Sequence, residues 1–322
     1  MKTLSVVVPC YNEESGLPEL HRRLSRVCRS YFKEYQIIYI NDGSRDATWE
    51  VMGSLAQGDP HVEALNLSRN FGHQVALTAG LERATGGVIL IIDGDLQDPP
   101  ELLGEMLLTM REGYDVVYGK RRRRTGESWF KKITAYLFYR LMNYCADIEI
   151  PTDTGDFRLI SRQALDAFLQ LPERSRFIRG MVCWVGFRQA PVFYERHRRY
   201  AGKSGYSVAK MLRFAADAIT GFSIRPLRLA LFVGLGFLLL AGLGAVLSLF
   251  GWQESHLLAA CAGVAAVVLL AAAVQLFILG IIGEYIGRIF IESKQRPLYV
   301  IKDVIRAHAG GDEVEKSLLA SI

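Results

Sequence analysis

Two carboxylates one residue apart, Asp93 and Asp95, end a short apolar run in V-I-L-I-I-D-G-D-L-Q-D-P-P-E, with Gln97 two positions further on. Continuous Val and Ile suit a parallel strand covered on both faces, and ligands gather at the carboxyl ends of such strands. Hard oxygen ligands in this number fit Mg²⁺ or Mn²⁺, held through one or two carboxylates together with the oxygens of a bound phosphate. The chemistry so indicated is the handling of a nucleoside diphosphate. An acidic turn after a buried strand would leave the same letters, so the pair takes its meaning from the rest of the chain.

Another apolar segment ends in I-N-D-G-S, which puts Asn41 and Asp42 at a strand end. Asp42 either accepts hydrogen bonds from a base or ribose or belongs to a plain Asp-Gly turn. The first apolar segment ends in P-C-Y-N-E-E, Pro9 to Glu14, where a dinucleotide-binding domain would have G-x-G-x-x-G, and no G-x-x-x-x-G-K-[ST] occurs. A phosphate held without a glycine loop needs a metal or basic side chains instead.

These residues need a scaffold. Leu4 to Val8, Gln36 to Ile40, Val62 to Asn66, Val88 to Ile92 and Val116 to Tyr118 are short and rich in Val and Ile, with helical spacing between them, as in Leu17 to Phe32 and Glu101 to Arg111. Alternation of this kind predicts an α/β fold, a doubly wound, mainly parallel sheet with right-handed crossovers and a nucleotide across the strand ends.

The 322 residues are 50% hydrophobic and 22% charged, unevenly spread. Leu229 to Phe250 carries no charge, and in Leu257 to Ile282 the one strongly polar interruption is Gln275. Each run exceeds the roughly 20 apolar residues that cross a bilayer. With only Gly251 to His256 between them, they read as a membrane hairpin in preference to two buried core helices. Arg225 and Arg228 precede the first run, Arg288, Lys294, Arg296, Lys302 and Arg306 follow the second, and the connection has neither Lys nor Arg. The positive-inside rule then puts both ends in the cytoplasm. The N-terminal apolar run is too short for a signal peptide and stops at Pro9. Cys10, Cys28, Cys145, Cys183 and Cys261 form no C-x-x-C pair and read as reduced packing residues.

Ser128 to Tyr144 is aromatic, apolar and basic at helical spacing, and Val208 to Ile219 puts Val208, Met211, Leu212, Ala215 and Ile219 on one face. Both read as helices lying in the membrane interface with Lys and Arg towards anionic headgroups. Packing onto a soluble domain is the alternative.

The ordered set V-P-C-Y-N-E-E, I-N-D-G-S-R-D-A-T, R-N-F-G-H-Q, D-G-D-L-Q-D-P-P-E and T-G-D-F-R-L, with the paired apolar runs and G-E-Y-I-G-R, resembles the family-2 glycosyltransferases that load a sugar onto a polyprenyl phosphate. The nearest likeness is to bactoprenol glucosyltransferases of the GtrB type, with dolichol-phosphate mannose synthase more distant. The resemblance implies a GT-A-like catalytic domain over residues 1–205, including the interfacial helix near 128–144, a juxtamembrane helix over 206–226, a two-helix transmembrane hairpin over 227–285 and a cytosolic tail over 286–322. It assigns Pro9, Tyr11, Asn12, Glu13, Asp42, Asp93, Gly94 and Arg121 to the nucleotide sugar, and Asp93, Asp95 and Gln97 to Mg²⁺ or Mn²⁺. Asp156 is nominated as general base, and Arg199, Lys203 and Ser204 as acceptor-phosphate residues in a mobile loop. Relatives have Ser-Lys-Tyr where this chain has Ser204-Gly205-Tyr206, which leaves Lys203 to supply the charge. Arg122 to Arg124 read as a solvated charge run.

The activity implied is inverting transfer of a hexose, with glucose from UDP-glucose as first choice, onto undecaprenyl phosphate at the cytosolic face of a bacterial inner membrane, for cell-surface glycan modification. Membrane and a homo-oligomer are implied partners, and nucleic acid is not. A phosphate acceptor is already anionic near neutrality, so a base supplies less than it would for a hydroxyl, and Asp156 can serve by orienting the acceptor. Rival readings keep the family with mannose, N-acetylhexosamine or formamido-arabinose, or make the chain a non-catalytic scaffold or flippase partner. A processive synthase would need Q-x-x-R-W and more spans.

Overall fold

A computed structural model of the chain describes residues 3–122, 154–195, 227, 232–237, 239–240 and 257–306. Its elements are β1 (Leu4–Cys10), α1 (Leu17–Tyr31), β2 (Tyr35–Asn41), α2 (Thr48–Gly58), β3 (Val62–Leu67), α3 (His73–Arg83), β4 (Val88–Ile91) and α4 (Leu103–Arg111), which a 3-10 turn at Pro100–Leu102 leads into. Then come β5 (Val116–Arg121), β6 (Thr154–Ser161), α5 (Arg162–Leu169), α6 (Ile178–Trp184), β7 (Gln189–Tyr194), α7 (Leu257–Ser293) and β8 (Ile301–Arg306). The chain divides into two units. Met1–Tyr139, Ile148–Ser207 and Arg296–Ile322 form one, and Arg140–Asp147 with Val208–Gln295 the other.

The first unit is built on an eight-stranded sheet in the order β7-β5-β6-β4-β1-β2-β3-β8. Every residue of β1, β3 and β4 is buried, as strands covered on both faces require. On α1 the buried positions Leu17, Leu20, Leu24, Val27 and Cys28 recur at helical spacing and form one apolar stripe towards the sheet. α3 approaches the sheet closely at Gly80, where a Cβ would stand 2.4 Å from Val7 Cγ1 and 2.5 Å from Ile40 Cδ1. That contact sets the height of α3, and so of the residues at its amino end. Because β1 pairs in parallel with both β2 and β4, the strand order reverses at β1, and the loops leaving β1 and β4 bound a crevice.

The sheet is mixed, where a mainly parallel one was expected. β6 runs antiparallel to both β4 and β5, and β8 antiparallel to β3. β6 is T-G-D-F-R-L-I-S with all eight residues buried, including Asp156 and Arg158. A strand with charges inside and no alternation lacks the apolar pattern by which the other inner strands are recognised. Within the expected 286–322 tail, α7 runs on to Ser293, and Ile301–Arg306 is an edge strand of the sheet. Arg306 holds it there, through a 2.7 Å bond to buried Glu63 of β3.

In the second unit, α7 spans 37 residues. Its segment Leu270–Ser293 has a mean hydropathy of 1.8, none of it buried, and among the described residues it is the one helix long and apolar enough to cross a membrane. Of the first expected span, Phe232–Phe237 and Leu239–Leu240 are helical and the remainder lies outside the described residues. The helices expected at 128–144 and 208–219 also lie outside them.

Gly80→Val should lower stability by about 1–3 kcal/mol, the usual cost of overpacking a close-packed core. The measurement is the thermal midpoint of the detergent-solubilised protein, and an unchanged midpoint would refute the tight α3 contact.

Candidate active site

The β1 and β2 loops are stitched together by their own polar groups. Asn12 donates its backbone N–H to Ser44 Oγ at 3.0 Å, and its Oδ1 accepts from Arg45 N at 2.8 Å. Glu13 N donates to Thr48 Oγ1 at 2.9 Å, and Glu14 Oε2 accepts from Ala47 N at 2.8 Å. Asn12 adopts φ 56°, the left-handed region where Asn is enriched, so its side chain can reach across. Tyr11 beside it is exposed, while Pro9 is buried within β1. Asp42 is almost wholly buried and commits its carboxylate to the loop before α3, accepting from Phe71 N at 2.7 Å and Gly72 N at 3.1 Å.

The D-G-D turn lies against this assembly. A side chain at Gly94 would meet Cys10 Sγ at 3.1 Å and Glu13 Cγ at 3.5 Å. Leu96 takes φ 59°, an unfavourable conformation for a branched aliphatic residue, and Gln97 N closes the turn on Asp95 Oδ1 at 3.1 Å. The turn is thus held in a strained form that directs Asp93 and Asp95 to the crevice end of β4.

Asp156 enters from β6. Ile91 of β4 pairs with Arg158, and that antiparallel register, continued two residues beyond the strand, sets Asp93 opposite Asp156. Only 2% of Asp156 is exposed, yet it is surrounded by donors. Arg179 of α6 forks onto it, Nε to Oδ1 at 2.9 Å and a terminal nitrogen to Oδ2 at 3.2 Å. From the amino end of α3, Gln74 Nε2 donates to Oδ2 at 3.1 Å and His73 Nε2 lies 3.2 Å from the same oxygen. Gln74 also accepts from Ile178 N at 2.9 Å, tying the start of α6 to this carboxylate. Burial opposes ionisation of Asp156, but the Arg179 guanidinium and then the His73 imidazole overcome it and hold the carboxyl well below its usual range. Burial likewise disfavours the His73 imidazolium, and the charges of Asp93 and Asp156 outweigh it, raising its pKa to about 9.

Asp93 is pushed the other way. Burial first, and the negative charges of Asp156 and Asp95, raise its pKa against the pull of His73. Its Oδ1 is hidden from water and makes no hydrogen bond, with His73 Nε2 at 3.5 Å. An orphaned carboxylate oxygen of this kind is what a hard cation would satisfy. Among the described residues no three His, Cys, Asp or Glu side chains form a ready-made metal cage. A two-carboxylate platform suits Mg²⁺ or Mn²⁺ completed by phosphate oxygens and water, so Asp93 and Asp95 fit the metal expected of them.

Arg121, at the end of β5, comes within 3.1 Å of the position a Cβ on Gly155 would occupy, and its Nε donates to Tyr194 Oη at 3.5 Å. Tyr194 in turn donates a short hydrogen bond to buried Asp98. Arg199, Lys203 and Ser204 lie outside the described residues. Ser161 caps α5, its Oγ accepting from Ala164 N at 3.2 Å. The sequence reading missed His73, Gln74 and Arg179. The first two stood in the quoted R-N-F-G-H-Q motif without an assigned role, and Arg179 carries no local signal, since only the fold brings α6 to β6.

Residues 5–169 match the family model described as Glycosyl transferase family 2, and residues 225–289 that of the GtrB C-terminal hairpin. The chain is 46% identical over 303 residues to the uncharacterized glycosyltransferase YkcC of Bacillus subtilis (strain 168), covering 92% of this chain and 93% of that protein. It is 38% identical over 301 residues to the bactoprenol glucosyl transferase of Shigella phage SfV, covering 93% and 98% respectively. Among solved structures, mannosyl-3-phosphoglycerate synthase from Rubrobacter xylanophilus aligns at a TM-score of 0.47 and 18% identity, over 68% of this chain and 72% of that one.

Arg179→Met should destabilise the protein by about 3 kcal/mol at neutral pH, because it leaves a buried carboxylate without its main cation. The sign follows from the lowered pKa: the stabilisation from Asp156 is present above its unfolded value and is lost as pH falls through the folded one. In the variant that loss should begin at higher pH. Thermal midpoints measured from pH 4 to 8 decide the matter, and parallel profiles for the two proteins would refute the pairing.

Proposed function

The chain belongs to glycosyl transferase family 2 and carries the GtrB C-terminal hairpin, and from that premise we propose that it transfers a hexose, glucose from UDP-glucose as first choice, with inversion onto undecaprenyl phosphate. The observation that carries this reading is the opposed pair at the crevice, Asp93 with an unsatisfied oxygen and Asp156 saturated by cationic donors. One carboxylate faces a metal diphosphate, and the other organises positive charge around a second anion. Support for the lipid comes from the full-length relative named bactoprenol glucosyl transferase.

The metal, Mg²⁺ or Mn²⁺, would be held by Asp93 and Asp95 with Gln97 beside them, and when bound it offsets charge on the departing diphosphate. Everything else is the work of the chain itself. Asn12 and Glu13, through their backbone N–H groups, hold the β1 and β2 loops together at the donor edge, and the Asp42 carboxylate fixes the loop carrying Phe71 and Gly72 at the same edge. Arg121 adds charge near the diphosphate. A phosphate oxygen of the lipid attacks the anomeric carbon; a new C–O bond forms as the bond to the β-phosphate breaks, and its electron pair leaves with UDP.

In this reading Asp156 is not the proton acceptor. A carboxylate held well below its usual range is a poor base, and an anionic phosphate needs none. Asp156 aligns Arg179 and His73 so that their positive groups meet the acceptor in the reactive geometry. Membrane attachment is proposed through two spans within 227–285, both ends cytoplasmic, with the product left on the cytosolic leaflet for a separate flippase.

Membranes containing the protein, incubated with labelled nucleotide sugars and undecaprenyl phosphate, should yield one lipid-linked sugar, from UDP-glucose, and lose it when divalent metal is chelated. Labelling from a different donor would correct the sugar, and labelling from none would end the proposal. Asp156→Asn should reduce turnover by roughly a hundredfold while UDP binding persists, as expected when preorganised charge is lost. Near-normal turnover would remove Asp156 from the mechanism.

A further inference from the structure

A directed chain of hydrogen bonds runs from the last strand of the sheet to both donor loops. Asp303 on β8 stands opposite Asn66 on β3, beside the register shift between Asn66 and Leu67. Asn66 Nδ2 donates to Asp303 Oδ2 at 2.9 Å. Asn41 Nδ2 donates to Asn66 Oδ1 at 2.8 Å. Asn41 Oδ1 accepts from Ser44 N at 3.0 Å, Ser44 Oγ accepts from Asn12 N at 3.0 Å, and Asn12 Oδ1 accepts from Arg45 N at 2.8 Å. Asn41 and Asn66 are buried, so neither amide can turn to water for a substitute partner.

The direction of the chain is set at one end. A carboxylate can only accept, so it forces the NH₂ of Asn66 towards β8 and its carbonyl towards Asn41. That carbonyl forces the NH₂ of Asn41 inward, leaving the Asn41 carbonyl free for Ser44 N. If the carboxylate were removed, Asn66 would keep a buried NH₂ without an acceptor, and turning the amides over to relieve it would confront Ser44 N with a second donor. The two loops that lose their anchor are those that meet at Asn12 and Ser44.

We propose that Asp303 is a positioning residue for the nucleotide donor: the strand that follows the membrane-spanning helix in sequence orients the β1 and β2 loops through Asn66 and Asn41. The inference rests on the reading of Asn12 and the Asp42–Ser44 turn as the donor edge. It makes donor affinity depend on a residue far from every glycosyltransferase motif in the sequence, and it gives β8 a task beyond closing the sheet.

The test titrates UDP with Mg²⁺ into the full-length protein in detergent, for wild type, Asp303→Leu and Asp303→Asn, with thermal midpoints and the KM for undecaprenyl phosphate alongside. Asp303→Leu, close in shape but unable to accept, should weaken UDP binding roughly tenfold, the scale of one buried amide left unsatisfied. Asp303→Asn keeps an acceptor oxygen and should bind within about twofold of wild type, since acceptance and not charge is the property required. The KM for the lipid should stay unchanged in both. Should Asp303→Leu fail to fold, Asp303→Ala carries the same expectation. Unchanged UDP affinity on loss of the acceptor overturns the proposal, and so does an Asp303→Asn as weak as the Leu variant, or an equal loss of lipid affinity. Wild type that binds no UDP at all would instead overturn the donor reading on which the proposal rests.

Discussion

A buried carboxylate that must remain charged dictates much of this catalytic unit. Taking Asp156 out of water costs several kcal/mol unless its oxygens are fully engaged. Four groups from three elements meet that demand: the Arg179 fork from α6, His73 and Gln74 from α3, and Arg158 from β6 itself, 3.9 Å away. Each constrains its element. α3 must reach the sheet closely enough for its first two residues to touch β6, which the missing side chain at Gly80 allows. The start of α6 must sit where Ile178 N can bond Gln74. The positions of two helices and a strand are thus tied to one charge.

The sheet topology supplies the rest. Reversal of strand order at β1 opens the crevice, but the parallel strands β1 to β4 alone would bring together only the loops that follow them. Insertion of β6 antiparallel to β4 sends a residue from the opposite chain direction back to the same edge, which is why Asp93 and Asp156 face each other across the strand ends. The turns there carry the strain of two left-handed non-glycine residues, Asn12 and Leu96. Asn12 recovers part of that cost through its bonds to Ser44 and Arg45.

The sequence made the edge formed by β1, β2 and β4 legible and left the contribution of β6 and α6 obscure, for physical reasons. Asp93, Asp95 and Asp42 follow apolar runs of Val and Ile that announce strands, so their place at a common edge could be inferred from period and composition. β6 could not be found that way, because its buried Asp156 and Arg158 break the apolar run that marks an inner strand. Without β6 the sheet looked mainly parallel. Arg179 is one arginine in a basic stretch, P-E-R-S-R-F-I-R-G, and nothing in its spacing distinguishes it from its neighbours. β8 was hidden by its position after an apolar helix, where a short strand of I-K-D-V-I-R reads as tail.

Asp93 and Asp156 also show why two carboxylates at one edge need not do the same chemistry. They repel each other, and the protein resolves the conflict asymmetrically. Asp156 receives most of the donors, and Arg179 and His73 hold its carboxyl well below the usual range. Asp93 has His73 at 3.5 Å and feels Arg179 more weakly, keeps an oxygen without a hydrogen bond, and has its pKa raised by burial and by the charges of Asp156 and Asp95. Environments that push paired carboxyls apart assign them different roles. The group driven down cannot readily take a proton and holds Arg179 and His73 against it. The group driven up has His73 as a near cation yet keeps an oxygen without a hydrogen bond, so a further positive charge there would favour its ionised form. A base at Asp156 would require the opposite distribution, with Arg179 displaced and the carboxyl raised towards neutrality. The observed distribution puts positive charge around Asp156, where a proton acceptor would need the opposite surroundings.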